Sequence, residues 1–185
     1  SRAMERLREF VSKRNVTIGA SGLVVMISAN AAQAAPVGLT AAISAAILFR
    51  KTYADLALPG ALMDRAFEVL GGTGARWNGT EKTWTFPSGA TLSFGYLEQE
   101  NHRFRYQSSE FQYIGFDELT QFKERDYRYL FSRLRRTVDN KVPLRMRAGS
   151  NPGGSGHLWV KKRFNPDHQE RNPPQRRFIS ARLED

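Results

Sequence analysis

Two adjacent carboxylates follow an apolar run in Tyr113-Ile114-Gly115-Phe116-Asp117-Glu118, and they are the residues best suited to chemistry. A buried strand is rigid, so it can hold Asp117 beside a nucleotide-bound Mg²⁺, which accepts one carboxylate and keeps several waters. Glu118, at the strand end, could orient or deprotonate an attacking water. This is the Walker B arrangement of phosphate-processing NTPases. The alternative is a strand that ends in a solvated acidic turn.

A second polar pair, Ser150-Asn151, lies where a strand runs into the glycine-rich loop Gly149–Gly156. Such a pair beside a Walker B strand can sense a γ-phosphate or the catalytic water, and glycines before a helix leave N–H groups free for an anion. No Gly-Lys-Ser/Thr follows the glycines, so the loop is not a Walker A sequence. The alternative is a flexible turn.

Charge and composition narrow the possible partners. The 185 residues carry a formal net charge of +10, and from Asn101 onward 18 basic and 10 acidic side chains give a net +8. Such an excess favours a polyanionic partner, nucleic acid or nucleotide, over a merely basic protein. The chain has no cysteine, which excludes disulfides, iron–sulfur clusters and thiolate zinc sites.

The first 45 or so residues differ from the rest, because Asn15–Phe49 contains no charged residue and is rich in Ala, Gly and Ser. The basic residues before it, an apolar run and Ala32-Gln33-Ala34 suit a signal peptide. The length of Val16–Leu48 also allows a membrane segment, although polar residues and Pro36 interrupt it. The third possibility is a buried Ala-rich helix pair broken at Pro36. We therefore treat 1–45 and 46–185 as separate units.

Strands and helices alternate after this segment, which predicts an α/β domain. The predicted strands are Ala46–Arg50, a hairpin of Lys82–Phe86 and Ala90–Phe94, Phe111–Phe116, a half-buried Leu144–Ala148, and Arg177–Arg182. One helix has Pro59 in its first turn, repeats Leu62, Ala66, Phe67 and Leu70 at helical spacing, and ends at Gly71-Gly72. A second places Tyr127, Leu130, Phe131 and Leu134 on its inner face, and a third spans His157–Phe164. The polar, proline-rich run Asn165–Gln175 is predicted as a loop.

From about Ile47 to Asp185 the chain resembles the ATPase domain of the large terminase subunit of tailed bacteriophages. The ordered matches are FRKTYADL (Phe49–Leu56), FPSGATLSFGYLEQE (Phe86–Glu100), YQSSEFQYIGFDELTQF (Tyr106–Phe122), RMRAGSNPGGSGHLWVKKRF (Arg145–Phe164) and RFISARLED (Arg177–Asp185). The resemblance implies a RecA-like, P-loop-NTPase-type core with a mainly parallel central sheet. It also implies ATP hydrolysis that drives double-stranded DNA into a capsid.

The resemblance also implies roles for individual residues. Asp117 takes the Walker B magnesium role, Glu118 is the catalytic carboxylate, and Ser150 and Asn151 form the coupling motif that links hydrolysis to DNA movement. Arg103 and Arg105 are candidates for the arginine that stabilises phosphate charge, the alternative being a solvated basic surface. The implied cofactors are ATP and Mg²⁺. The implied partners are DNA, a portal protein, a small terminase subunit and like subunits in a ring, in the cytoplasm of an infected or lysogenic bacterium.

The chain departs from the family before its first predicted core strand. A phosphate loop ending in Gly-Lys-Ser/Thr is expected there, but no lysine occurs between Arg14 and Lys51, and residues 28–47 read SANAAQAAPVGLTAAISAAI. The family's nuclease domain would follow Asp185. Three functions stay open: a packaging ATPase impaired by loss of the phosphate loop, an inactive basic remnant that binds DNA or partner subunits, and a membrane-anchored or exported protein.

Overall fold

The computed structural model describes residues 44–136, 142–164, 176, 178 and 179. Six strands form one sheet: β1 (Ala45–Arg50), β2 (Arg76–Asn78), β3 (Thr83–Thr85), β4 (Thr91–Tyr96), β5 (Tyr113–Asp117) and β6 (Arg145–Gly149). Their order across the sheet is β2-β3-β4-β1-β5-β6. The pairs β4–β1, β1–β5 and β5–β6 are parallel, and β2–β3 and β3–β4 are antiparallel. The sheet is therefore mixed but mostly parallel, as predicted.

Within the described ranges, four α-helices and two 3-10 helices lie between or after the strands. The α-helices are α1 (Tyr53–Ala57), α2 (Leu62–Leu70), α3 (Glu124–Phe131) and α4 (His157–Phe164), and the 3-10 helices span His102–Tyr106 and Leu119–Gln121. Thr52 caps α1 by accepting the N–H of Asp55, whose carboxylate in turn accepts the N–H of Thr52. This reciprocal capping fixes the chain direction immediately after β1.

The central strand β1 divides the hydrophobic core into two halves, because successive side chains of a strand point to opposite faces. Ala46 and Leu48 pack with α1, α2 and the hairpin β3–β4. Ile47 and Phe49 pack with Ile114 and Phe116 of β5 and with α3 and α4. Helices thus cover both faces of the sheet, as a mostly parallel sheet requires.

Several predicted elements differ in detail from the structure. Pro59 lies in the turn between α1 and α2, because the chain caps α2 at Ala61. Helix α3 ends at Phe131, whose side chain is 52% exposed rather than buried. Leu134 lies beyond the helix and forms an isolated parallel bridge to Phe111, whereas β5 itself begins at Tyr113. The short strand β2 was not predicted.

Some predictions fall on residues that the structure does not describe. Residues 1–43 and 165–175 are outside it, as is most of the predicted last strand. Phe178 and Ile179 are described and belong to no strand. None of the helices in the described ranges is long and apolar enough to cross a membrane.

Candidate functional site

The four parallel strands β4, β1, β5 and β6 end at one edge of the sheet, where ligands bind in open α/β sheets. The strand register aligns Arg50 with Tyr96 and Asp117 with Gly149. The residues that follow each strand therefore meet at this edge. This arrangement brings the Asp117-Glu118 pair and the Ser150-Asn151 pair together.

Asp117 is a buried carboxylate at the end of β5. Its Oδ2 atom lies 2.9 Å from Nε of Arg50, the last residue of the neighbouring strand β1. Burial raises the pKa of Asp117, while the charge of Arg50 acts in the opposite direction. Arg50 therefore favours the ionised carboxylate, the form that a cation would bind.

Glu118 has a left-handed backbone conformation, with φ 55° and ψ 58°. For a residue with a Cβ this conformation costs on the order of 1–2 kcal/mol. The Glu118 carboxylate accepts two hydrogen bonds from Asn151, one from its side-chain Nδ2 at 3.1 Å and a longer one from its backbone N at 3.4 Å. The strained turn thus aims the Glu118 carboxylate at the residue that follows β6 and Ser150.

Ser150 contacts the same turn through Thr120, which is 5% exposed. The backbone N–H of Thr120 donates to Ser150 Oγ at 3.1 Å, and the two hydroxyl oxygens lie 2.9 Å apart. Sequence reasoning placed Ser150 and Asn151 near the Walker B strand. The structure adds that Asn151 contacts Glu118 and that Ser150 contacts Thr120.

The glycine-rich loop packs tightly on the chain that follows Glu118. The N–H of Gly156 donates to the Thr120 carbonyl at 2.6 Å, and a Cβ at Gly156 would lie 2.6 Å from the Phe122 carbonyl oxygen. The indole N–H of Trp159 in α4 donates to that Phe122 carbonyl at 2.9 Å. Glycine is required here because the backbones approach closely, and the loop is a packed connection rather than a loose turn.

The two candidate phosphate-stabilising arginines have different surroundings. Arg103 Nη1 lies 3.0 Å from the buried Asp126 carboxylate of α3. Arg105 is exposed, and its Nη2 lies 3.1 Å from Nε2 of the buried His102. Burial, followed by the charge of Arg105, lowers the pKa of His102. A role for either arginine at a phosphate stays a prediction.

The fit of Mg²⁺ to this site rests on one carboxylate. The described part of the chain contains no group of three or more His, Cys, Asp or Glu residues that could hold a metal. Asp117 alone suits Mg²⁺ only when phosphate oxygens and water supply the other ligands. The donor set therefore fits a metal that arrives with a nucleotide.

Arg50 and Thr120 are the site residues that sequence reasoning missed. The sequence does show Arg50 as a basic residue at the end of a predicted strand. Only the sheet order shows that this strand is next to β5 and that Arg50 is therefore close to Asp117. Thr120 has no such signal, because its role depends on the contact with Ser150, thirty residues away.

The mostly parallel six-stranded sheet with helices on both faces defines an α/β domain that is consistent with a RecA-like core. The family described as "Terminase large subunit, T4likevirus-type, N-terminal" matches residues 14–185, and the chain belongs to this family. The match begins at residue 14, so it also spans the Ala-rich run Asn15–Phe49 that the sequence analysis set apart.

A solved structure agrees with this assignment at the level of the fold. The large terminase of a thermophilic bacteriophage is similar with a TM-score of 0.52 and 21% identity. The similarity covers 80% of this chain and 35% of that one, so this chain corresponds to about a third of that protein. No curated protein sequence matches the chain.

Proposed function

We propose that this chain is the ATPase domain of a phage DNA-packaging motor, with Asp117 on the magnesium of ATP and Glu118 as the catalytic carboxylate. The observation that supports this most strongly is the contact between Glu118 and Asn151, at 3.1 Å. It joins the acidic pair after β5 to the polar pair after β6. The register of β5 and β6 places the two turns side by side, and the hydrogen bond then fixes the Asn151 amide against the Glu118 carboxylate.

Each carboxylate has a distinct task in this proposal. Asp117 is buried at the end of a rigid strand and paired with Arg50, so its position is fixed before a nucleotide arrives. Bound Mg²⁺ would neutralise phosphate charge. Glu118 lies one residue further and is less buried, so it can accept a hydrogen bond from an attacking water and orient it.

The Glu118–Asn151 contact also provides a route from hydrolysis to movement. A water that donates to the Glu118 carboxylate would compete with the Asn151 amide for the same oxygen atoms. Asn151 lies near the start of the glycine-rich loop Gly149–Gly156, which leads into α4. Release of Asn151 would therefore alter a loop attached directly to a helix.

The sequence lacks the Gly-Lys-Ser/Thr phosphate loop, whose lysine and backbone amides hold the β- and γ-phosphates. We therefore expect this chain alone to bind MgATP weakly, with a Kd on the order of 1 mM or higher. The test is equilibrium binding of a fluorescent ATP analogue with Mg²⁺, comparing the chain with Asp117→Ala. Weak saturable binding that Asp117→Ala abolishes supports the proposal, whereas binding that survives in Asp117→Ala contradicts it.

The catalytic role of Glu118 is tested separately from nucleotide binding, with the variant Glu118→Gln. Glu118→Gln should bind the analogue as the unchanged chain does, since it retains Asp117, but should lose any Mg²⁺-dependent ATP turnover. Turnover that Glu118→Gln leaves intact would remove Glu118 from the catalytic role. The same proposal includes the partners and the location. The chain would act on double-stranded DNA in the infected cell, together with a portal protein, a small terminase subunit and neighbouring copies of itself.

A second candidate function is an inactive domain that binds DNA or partner subunits through a basic surface. Exposed basic side chains lie on and after α3 and at the end of α4, namely Arg128, Arg135, Arg136, Lys161 and Lys162. DNA affinity carried by such a surface falls steeply with added salt. Salt-sensitive DNA binding without any MgATP binding would favour this function over the ATPase.

The membrane-anchored alternative loses part of its support. The last residues of the segment 16–48 belong to β1, where residues 46–48 are buried in the centre of the sheet. Residues 16–43 lie outside the part of the chain that the structure describes.

A further inference from the structure

The Thr120 hydroxyl lies at the centre of the contact between the two strand ends. Thr120 belongs to the 3-10 helix that starts directly after the strained residue Glu118. Its Oγ1 atom is 2.9 Å from Ser150 Oγ and 3.3 Å from the carbonyl oxygen of Asn151. Neither the apolar pattern nor the acidic pair explains a buried hydroxyl at this position.

The hydrogen-bond donors and acceptors here are matched in number. Ser150 Oγ accepts the N–H of Thr120, which leaves two hydroxyl hydrogens, one on Ser150 and one on Thr120. Two acceptors remain for them, the other hydroxyl oxygen and the Asn151 carbonyl, which lies 3.2 Å from Ser150 Oγ and 3.3 Å from Thr120 Oγ1. Whichever hydroxyl donates to its neighbour, the other can donate to Asn151.

The backbone of Thr120 is held from the opposite end of the same loop. Its carbonyl accepts the Gly156 N–H at 2.6 Å, and a Cβ at Gly154 would lie 2.9 Å from that oxygen. Thr120 is therefore contacted at both the beginning and the end of the glycine-rich loop. This two-ended attachment fixes the loop relative to the turn that carries Glu118.

We propose that Thr120 is a positioning residue whose hydroxyl sets the place of the Asn151 amide against the Glu118 carboxylate. Without that hydroxyl, Ser150 alone would donate to the Asn151 carbonyl, so one hydroxyl instead of two would hold the Asn151 peptide in place. Thr120 does not touch the reacting groups. It acts through Asn151, and this inference rests on the roles proposed above for Glu118 and Asn151.

The decisive substitution is Thr120→Val, which replaces the hydroxyl by a methyl group of similar size, with Thr120→Ser as the variant that keeps the hydroxyl. The readout is the side-chain amide NMR signal of Asn151, identified by its loss in Asn151→Ala. In the unchanged chain and in Thr120→Ser, Glu118→Gln should shift this signal. In Thr120→Val, that response should fall by at least half, and the backbone N–H of Asn151 should exchange with solvent roughly tenfold faster.

Two further variants separate positioning from general stability. Thr83→Val removes an equivalent hydroxyl pair, Thr83 with Ser93 at 2.9 Å in the β3–β4 hairpin, and should leave the Asn151 signal unchanged. Ser150→Ala breaks the same hydroxyl pair from the exposed side, and it carries the test if Thr120→Val does not fold. It should reproduce the loss of response.

The proposal is overturned if Thr120→Val lowers stability but leaves the Asn151 response to Glu118→Gln intact, or if Thr120→Ser fails to restore it. Neither readout requires a nucleotide. Failure here would therefore leave the nucleotide-binding test of the ATPase function standing, and the absence of nucleotide binding would not affect this result.

Discussion

The ion pair between Arg50 and Asp117 gives the sharpest prediction on stability. Replacing Arg50 by Met keeps much of the aliphatic stem and leaves a carboxylate that is only 10% exposed without its cation. Removing one partner of a fully buried pair costs about 3–5 kcal/mol. Because the Arg50 side chain is 22% exposed and Asp117 can take up a proton, we expect a loss of about 2 kcal/mol at pH 7.

The same prediction has a pH dependence with a defined sign. The folded-state pKa of Asp117 is raised above its ordinary value of 3.8, mainly by burial. A raised carboxyl pKa contributes stability that is present below the unfolded pKa and lost as the pH rises through the folded pKa. Arg50→Met removes the charge that opposes burial, so the Asp117 pKa rises further. Its destabilisation should be largest at neutral pH and shrink on acidification.

Urea unfolding followed by tryptophan fluorescence measures this effect. With a slope of about 2 kcal/mol per M, a loss of about 2 kcal/mol moves the midpoint down by about 1 M at pH 7. The control is Arg65→Met, which breaks the exposed Arg65–Glu68 pair and should produce no measurable change. In the double variant Arg50→Met/Asp117→Asn, most of the loss should disappear, because no unpaired buried charge remains.

Two results would refute this reasoning. One is an Arg50→Met chain as stable as the Arg65→Met control at pH 7. The other is a destabilisation of the same size at neutral pH and at pH 4, which would trace the loss to packing of the Arg50 stem rather than to the Asp117 charge.

Three further substitutions test the packing around the site by circular-dichroism melting. Gly156→Ala should cost about 2 kcal/mol, because its Cβ would lie 2.6 Å from the Phe122 carbonyl oxygen; an unchanged melting temperature would mean that the loop is not held there. Gly95→Ala should cost about 1–3 kcal/mol, since its Cβ would lie 2.6 Å from the side chains of Phe49 and Tyr106. An unchanged melting temperature would contradict tight packing of these two side chains against Gly95 of β4. Arg103→Met should cost about 2 kcal/mol, because the buried Asp126 carboxylate would keep only the more distant Arg125 guanidinium at 3.9 Å, and an effect as small as that of an exposed pair would contradict this.

The central part of the fold is predictable from local sequence patterns. The runs around Ile47 and Ile114 are apolar and end in charged residues, so their identity as buried strands follows from period and composition. The pair Asp117 and Glu118 is also predictable, because the two carboxylates directly follow one of these apolar runs. The hairpin at Pro87-Ser88-Gly89 is likewise a local signal.

Other features depend on contacts between distant parts of the chain. The exit of the chain from α3 before Leu134 reflects a bridge to Phe111, and helical periodicity cannot detect it. β2 is three residues long and is formed by pairing with β3, so its own sequence carries almost no signal. The partners of Glu118 and Asp117, namely Asn151 and Arg50, come from neighbouring strands, and strand order is not a local property.

The most direct test of the central claim is paramagnetic NMR with Mn²⁺ and a non-hydrolysable ATP analogue, which detects binding in the millimolar range. If Asp117 binds the metal of the nucleotide, the amide signals of Asp117, Glu118 and Asn151 should broaden selectively, while the indole signals of Trp77 and Trp84 stay sharp. Asp117→Asn should abolish the selective broadening, and Glu118→Gln should preserve it. Broadening that is uniform, or that persists in Asp117→Asn, would contradict a nucleotide–metal site at the end of β5.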